Sequence, residues 1–117
     1  MSKSCVATRR TTPLQIERTV RLIHPFLKVI SEPNRLRIFS VLTQGELCVC
    51  DIERAVGLPQ NLVSHHLGVL REAGFIRARR AGQWVYYSID KPALAEIYPF
   101  LCQVFDPERI GEETHFC

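Results

Sequence analysis

A mainly helical domain closed by one β-hairpin is the fold class that this 117-residue sequence predicts. Three observations carry the prediction. Apolar residues recur at three- and four-residue spacing in successive stretches, Gly and Pro punctuate those stretches at short intervals, and the pattern turns to aromatic and β-branched residues around Ala81-Gly82-Gln83. The length suits one core. With 46% hydrophobic and 23% charged residues the composition matches an ordinary globular domain, which excludes wholesale disorder.

The elements follow in order. Pro13 suits a first helical turn, and Ile16, Val20, Ile23, Leu27 and Ile30 form the stripe of an amphipathic helix over about 14–30. After the Ser31-Glu32-Pro33 break, Ser31 or Glu32 caps a second helix with Leu36, Phe39 and Leu42 facing inward, ended by Gly45. Cys48, Ile52, Ala55 and Val56 fit one face of a short third helix, stopped by Gly57 and Pro59. Val63, Leu67, Leu70 and Ala73 line a fourth helix over Gln60–Ala73, closed by Gly74. Phe75–Arg80 and Trp84–Ile89 then read as a hairpin. Asp90 caps a last helix through Leu94, Ile97, Leu101 and Val104, which Pro99 should kink or divide. The resulting organisation is a flexible N-terminal arm over 1–12, one domain over 13–105 and an acidic tail over 106–117.

Charge is unevenly spread. Residues 1–105 carry 14 Lys and Arg against 8 Asp and Glu, whereas 106–117 carry one Arg against four acids. A basic body favours a polyanion partner, because Lys and Arg displace counterions from phosphates. The five cysteines, Cys5, Cys48, Cys50, Cys102 and Cys117, are odd in number and lack the dense spacing of a secreted disulfide scaffold. Reduced thiols, a cytoplasmic location and no membrane partner are expected, since neither a signal segment nor a spanning apolar run is present.

Two short helices joined by Val56-Gly57-Leu58-Pro59 and followed by a basic hairpin match a winged helix-turn-helix layout. The exposed face of the fourth helix offers Gln60, Asn61, Ser64 and His65 near its N-terminus, where side chains reach base edges and the helix end favours phosphate. Arg71, Arg77, Arg79 and Arg80 flank that face, and Glu72 is the sole acid between 54 and 89. Double-stranded operator DNA is therefore the expected partner. Trp84, Tyr86 and Tyr87 read as sheet and core residues rather than stacking platforms.

The runs EPNRLRIFSVL, ELCVCDI and LPQNLVSHHLGVLREAGFIRARRAGQWVYYSI resemble the ArsR/SmtB family of bacterial metal-responsive repressors, closely over 32–89 and more loosely over 14–105. That resemblance implies a winged-helix homodimer, joined through its first and last helices, which binds a partly palindromic operator. It implies Gln60, Asn61, Ser64 and His65 as readers, with the Arg79–Gln83 wing tip beside the minor groove. The amphipathic stripes of the first and last helices independently favour a dimer.

Cys48-Val49-Cys50 places two soft donors near a helix N-terminus, where thiol pKa values fall and metal ligation is favoured, with Asp51 tempering the effect. On a regular helix, residues i and i+2 point roughly 200° apart. One ion could then hold both only by unwinding the first turn, and that deformation would reach the recognition helix. By resemblance, ELCVCD is the family's thiolate motif for arsenite, antimonite, cadmium or lead. As(III) is the implied inducer, with Sb(III), Cd(II) and Pb(II) as alternatives and no obligatory cofactor. Close arsenic-responsive relatives place a third cysteine where this chain has Glu53, so a third thiolate must come from elsewhere. Cys5 is the first choice, as some family members bring an N-terminal cysteine from the partner subunit; Cys102 and Cys117 are the alternatives. Cys102 otherwise reads as core packing and Cys117 as a thiol of the tail. His66 and His24 read as structural.

A metalloid-responsive repressor is the function expected, with a cadmium or lead sensor and a thiol redox switch as alternatives. Catalysis is not expected. A cysteine–histidine pair would need an orienting third group, and neither that, a Gly-rich phosphate loop nor a paired carboxylate motif is visible.

Overall fold

The computed structural model describes residues 11–111. Thr12 opens the first helix, α1 (Pro13–Ile30), with a capping box: its hydroxyl accepts from the Gln15 amide while the Gln15 side chain accepts from the Thr12 amide. Glu32, rather than Ser31, caps α2 (Pro33–Leu42) by accepting from the Arg35 amide. The chain then runs through β1 (Leu47–Cys48), α3 (Val49–Val56), α4 (Gln60–Glu72), β2 (Ile76–Ala81), β3 (Trp84–Ile89), α5 (Lys91–Phe105) and a 3-10 turn at Pro107–Arg109.

The predicted mainly helical fold with a hairpin is thus present, with several local differences. Leu36 is 53% exposed, because the inward face of α2 is Ile38, Phe39 and Leu42. At 3.6 residues per turn Ile38, Phe39 and Leu42 fall within an arc of about 100°, and Leu36 lies roughly 60° beyond it. Ala73 follows α4 as an exposed C-cap residue. The hairpin turn narrows to Gly82-Gln83, with Gly82 at φ 63° and Ala81 paired to Trp84. Trp84 itself is half exposed. Pro99 does not divide α5; Ile97 and Cys102, buried on either side of it, hold both halves against the body. Asp90 caps α5 as expected, accepting from the Ala93 amide.

Ile38, Ile52, Val63, Leu67 and Leu70 are fully buried, so the core sits where α2, α3 and α4 converge. Each such side chain contributes about 1.5–3 kcal/mol. Phe26 of α1 packs edge-on against Phe39 and Phe75, with ring centroids 5.7 and 4.9 Å away. This core fixes α4 by its inner face and leaves the outer one to solvent.

The three-stranded sheet has the order β1-β3-β2, all antiparallel. Leu47, Tyr87 and Ala78 form one rung, and Cys48, Tyr86 and Arg79 the next. Successive rungs face opposite sides. Leu47 and Tyr87 pack onto the core, which turns the Cys48–Tyr86–Arg79 rung outward.

Candidate nucleic-acid interface and thiol site

Gly57 ends α3 in the left-handed conformation, φ 69°, and Leu58-Pro59 leads directly into α4. Only glycine adopts that backbone without strain. Pro59 gives α4 no side-chain cap, and its carbonyl takes the amides of Leu62 and Val63. Gln60, Asn61, Ser64 and His65 are all exposed on the first turns of α4. The helix end and the polar side chains therefore share one solvent-facing surface, as the sequence predicts. Arg71 is exposed at the far end of the same helix.

His66, the next residue, points inward and is 5% exposed. Arg35 Nη1 lies 3.3 Å from its Nδ1 and Arg35 Nε donates to the Val29 carbonyl. A guanidinium can only donate, so Nδ1 accepts and the ring proton sits on Nε2, facing Glu32 Oε1 at 3.8 Å. Burial pushes the His66 pKa down; the Glu32 carboxylate opposes this, while Arg35 and His65 add to it. Helix α4 is thereby pinned to α2 through the His66 imidazole.

The wing carries Arg77, Arg79, Arg80 and Gln83, all exposed, but two of the arginines are engaged within the chain. Arg77 Nε is 3.4 Å from Asp90 Oδ2. The Ala93 amide, with help from Arg77, holds the Asp90 carboxyl below its ordinary range. Arg79 donates from Nε and Nη2 to the two carboxylate oxygens of Glu46, at 2.9 and 2.8 Å. Its guanidinium also lies 5.0 Å from the Tyr86 ring centroid. The bidentate contact lowers the Glu46 pKa and raises that of Arg79. Sequence reasoning missed Glu46, for it lies 33 residues from its partner and no local pattern marks it.

The thiol pair is arranged differently from the expectation. Cys48 is not helical: it is the N-cap of α3, extended at φ −84° and ψ 167°, and belongs to β1. The i,i+2 conflict therefore does not arise. The Cys48 and Cys50 sulfurs lie 3.2 Å apart, and Cys48 Sγ donates to Asp51 Oδ2 at 3.2 Å. Both thiols are free and half-buried. The expected depression of the thiol pKa is not found at Cys48. The Asp51 amide lowers it, but the Cys50 thiol, burial and the Asp51 carboxylate together outweigh that effect and raise it above the ordinary thiol range.

Two thiolates bonded at about 2.3 Å to one ion stand roughly 3.3–3.8 Å apart, the lower figure for a pyramidal centre such as As(III) and the upper for a tetrahedral one. The pair fits such an ion after a small widening, without loss of a helical turn. Among the described residues no group of three or more His, Cys, Asp or Glu could hold a metal ion. Cys5 and Cys117 lie outside the described residues, as do most of the N-terminal arm and half of the acidic tail. Cys102 is buried in α5 and disulfide-bonded, which departs from the expected set of reduced thiols. No helix among the described residues is long and apolar enough to cross a membrane.

Residues 32–78 match the model of the bacterial regulatory protein family arsR. The chain is 31% identical over 90 residues to a biofilm growth-associated repressor of Xylella fastidiosa, covering 77% of this chain and 79% of that protein. It is 44% identical over 63 residues to the arsenic resistance transcriptional regulator ArsR1 of Pseudomonas putida, covering 53% and 49%. The chain spans about half the length of some of these curated relatives. Among solved structures it resembles the transcriptional repressor BigR from Xylella fastidiosa, with TM-score 0.66, 30% identity and coverage of 81% and 97%. It also resembles the homodimeric winged helix-turn-helix domain of Mb0332 from Mycobacterium bovis, with TM-score 0.61, 26% identity and coverage of 90% and 97%. The helix pair, the wing and these likenesses agree: the chain belongs to the arsR family of bacterial regulatory proteins and has a winged helix-turn-helix fold.

Proposed function

We propose that the chain is a cytoplasmic metalloid-responsive repressor, binding operator DNA as a homodimer and releasing it when As(III) or Sb(III) is captured by cysteine thiolates. The 3.2 Å contact between the Cys48 and Cys50 sulfurs, at the junction of β1 and α3, carries this reading. Relatives named for arsenic resistance in Pseudomonas putida and for an arsenical resistance operon in Escherichia coli support the inducer class. On DNA, Gln60, Asn61, Ser64 and His65 meet bases and phosphates in the major groove, and Arg71, Arg77, Arg79, Arg80 and Gln83 meet the flanking backbone.

Capture acts on two elements at once. Widening the sulfur pair pulls on α3, which packs against α4, and on β1, whose backbone is paired with the wing strand β3. Cys5, from the same or the partner chain, supplies the third sulfur. Cys102 could serve only after reduction of its disulfide. Leu14, Ile16 and Val20 on α1 and Tyr98, Val104 and Phe105 on α5 expose apolar surface, and Thr19 Oγ1 donates to Gln103 Oε1 at 3.0 Å between the two helices. That combined face supports dimerisation through α1 and α5.

Two other readings of the same site remain open to test. A cadmium-resistance relative from Staphylococcus aureus supports a Cd(II) or Pb(II) sensor if a fourth donor joins. The sulfur contact equally suits a redox switch, in which hydrogen peroxide takes two electrons and two protons from the thiols, giving a Cys48–Cys50 disulfide and two waters. Titration of arsenite, cadmium, lead and peroxide against a labelled duplex separates them: arsenite releases DNA under reducing conditions on the main reading, and peroxide alone does so on the last.

A further inference from the structure

Glu46 lies two residues before Cys48, outside every helix and strand, and its carboxylate takes two hydrogen bonds from the wing residue Arg79. Arg79 is held on a second side by the Tyr86 ring and on a third by its backbone pairing with Tyr86. The bidentate contact uses Nε and one Nη2 proton, leaving three of the five guanidinium donors free. The side chain stays 57% exposed, so those donors are open to a ligand. An arginine ordered in advance binds a planar or tetrahedral oxyanion without first losing its rotamer freedom.

We propose that Glu46 is a positioning residue of the DNA interface, holding Arg79 in one rotamer from which its free donors meet a backbone phosphate of the duplex. The proposal rests on the reading of α4 and the wing as the DNA surface. It assigns an acidic residue a favourable part in binding a polyanion. Bulk electrostatics makes the opposite prediction, since removing a negative charge near phosphate should tighten binding.

The test uses the full chain, with Glu46→Gln, Arg79→Ala and the double variant, and a labelled duplex selected on the parent protein from a random-sequence library. Glu46→Gln is expected to weaken binding about three- to tenfold at 0.1 M salt, the loss that goes with one newly disordered long side chain. Arg79→Ala is expected to weaken binding at least as much and to reduce the salt slope by about 0.9. In the Arg79→Ala background, Glu46→Gln should change affinity less than twofold. Glu46→Ala serves as a second variant with the same expected loss, and because the pair is exposed, both should keep the parent's melting curve. Equal or tighter binding by Glu46→Gln overturns the proposal, and so does an equal loss with and without Arg79, which would mark a merely structural role. A parent chain that binds no duplex overturns the DNA reading itself and this proposal with it.

Discussion

Cys48 is the register partner of Tyr86 across β1 and β3, and Tyr86 is in turn the partner of Arg79 across β3 and β2. One rung of the sheet therefore runs from a free thiol to the wing. The thiol pair and the wing are joined through the hydrogen-bonded strands of one sheet, with no intervening loop to absorb a displacement. A second connection runs through α3 to α4, whose inner faces share Ile52, Val63 and Leu67 in the core. The thiol site lies where both connections begin.

The wing and the recognition helix should contribute differently to DNA affinity. Arg80 and Arg71 are exposed and act as point charges, so Arg80→Ala or Arg71→Ala should weaken binding to all sequences alike and reduce the salt slope by about 0.9 each. Gln60→Ala and Asn61→Ala should instead cost about 1–3 kcal/mol against the preferred base pair and little on other sequences. Binding titrations at several salt concentrations on preferred and scrambled duplexes distinguish the two patterns. A uniform effect from the Gln60 and Asn61 variants would remove them from base reading.

Acid should loosen the domain through His66. Burial lowers its folded pKa below the ordinary 6.5, so the unfolded chain binds a proton first as pH falls. The stability it contributes is fully present above about pH 6.5 and is lost as pH drops from there toward the folded pKa. Protonated Nδ1 would also face the Arg35 donor. Glu32 and Asp90, whose pKa values are lowered, lose their contribution only at lower pH, below the ordinary carboxylate range. Urea midpoints measured from pH 7.5 to 5 should fall in the parent and fall less in His66→Gln. Identical slopes would show that His66 is not the titrating group.

Core and surface positions of similar sequence character should separate sharply in stability. Leu67→Ala is expected to cost about 2–5 kcal/mol, since Leu67 is fully buried. Leu36→Ala should stay within about 0.5 kcal/mol. Thermal unfolding of the two variants decides it, and a large loss at Leu36 would show that this side chain is covered in solution.

Dimerisation through α1 and α5 has its own test. Val104 and Phe105 are exposed near the end of α5, and Val20 is exposed on α1, whose Thr19 is bonded to Gln103 of α5. Phe105→Glu should shift the sedimentation profile from dimer to monomer and weaken DNA binding, while the far-ultraviolet spectrum stays that of the parent. A variant that stays dimeric would place the interface elsewhere.

What the sequence made legible was whatever has a local cause. Pro13, Gly57 and Pro59, and Asp90 mark helix ends because capping and backbone restrictions act within a few residues. Their predicted positions agree with the structure to within a residue or two. Strand β1 was not legible, for two residues carry no period and extend only because Tyr86 and Tyr87 offer them a ladder. The spacing of Cys48 to Ile52 fits a helix, and the ladder to Tyr86 overrides it. The exposed polar face of α4 was legible from its residues, whereas the engagement of Arg79 by Glu46 and of Arg77 by Asp90 came from tertiary packing alone.

If thiolate capture at Cys48 and Cys50 controls DNA binding, operator affinity measured with and without arsenite under reducing conditions must register it. Arsenite should weaken binding by the parent about 5–150-fold, the range of a coupling of about 1–3 kcal/mol. Cys48→Ser and Cys50→Ser should bind the duplex as the parent does and no longer respond. Release of DNA by arsenite from both variants would contradict that control.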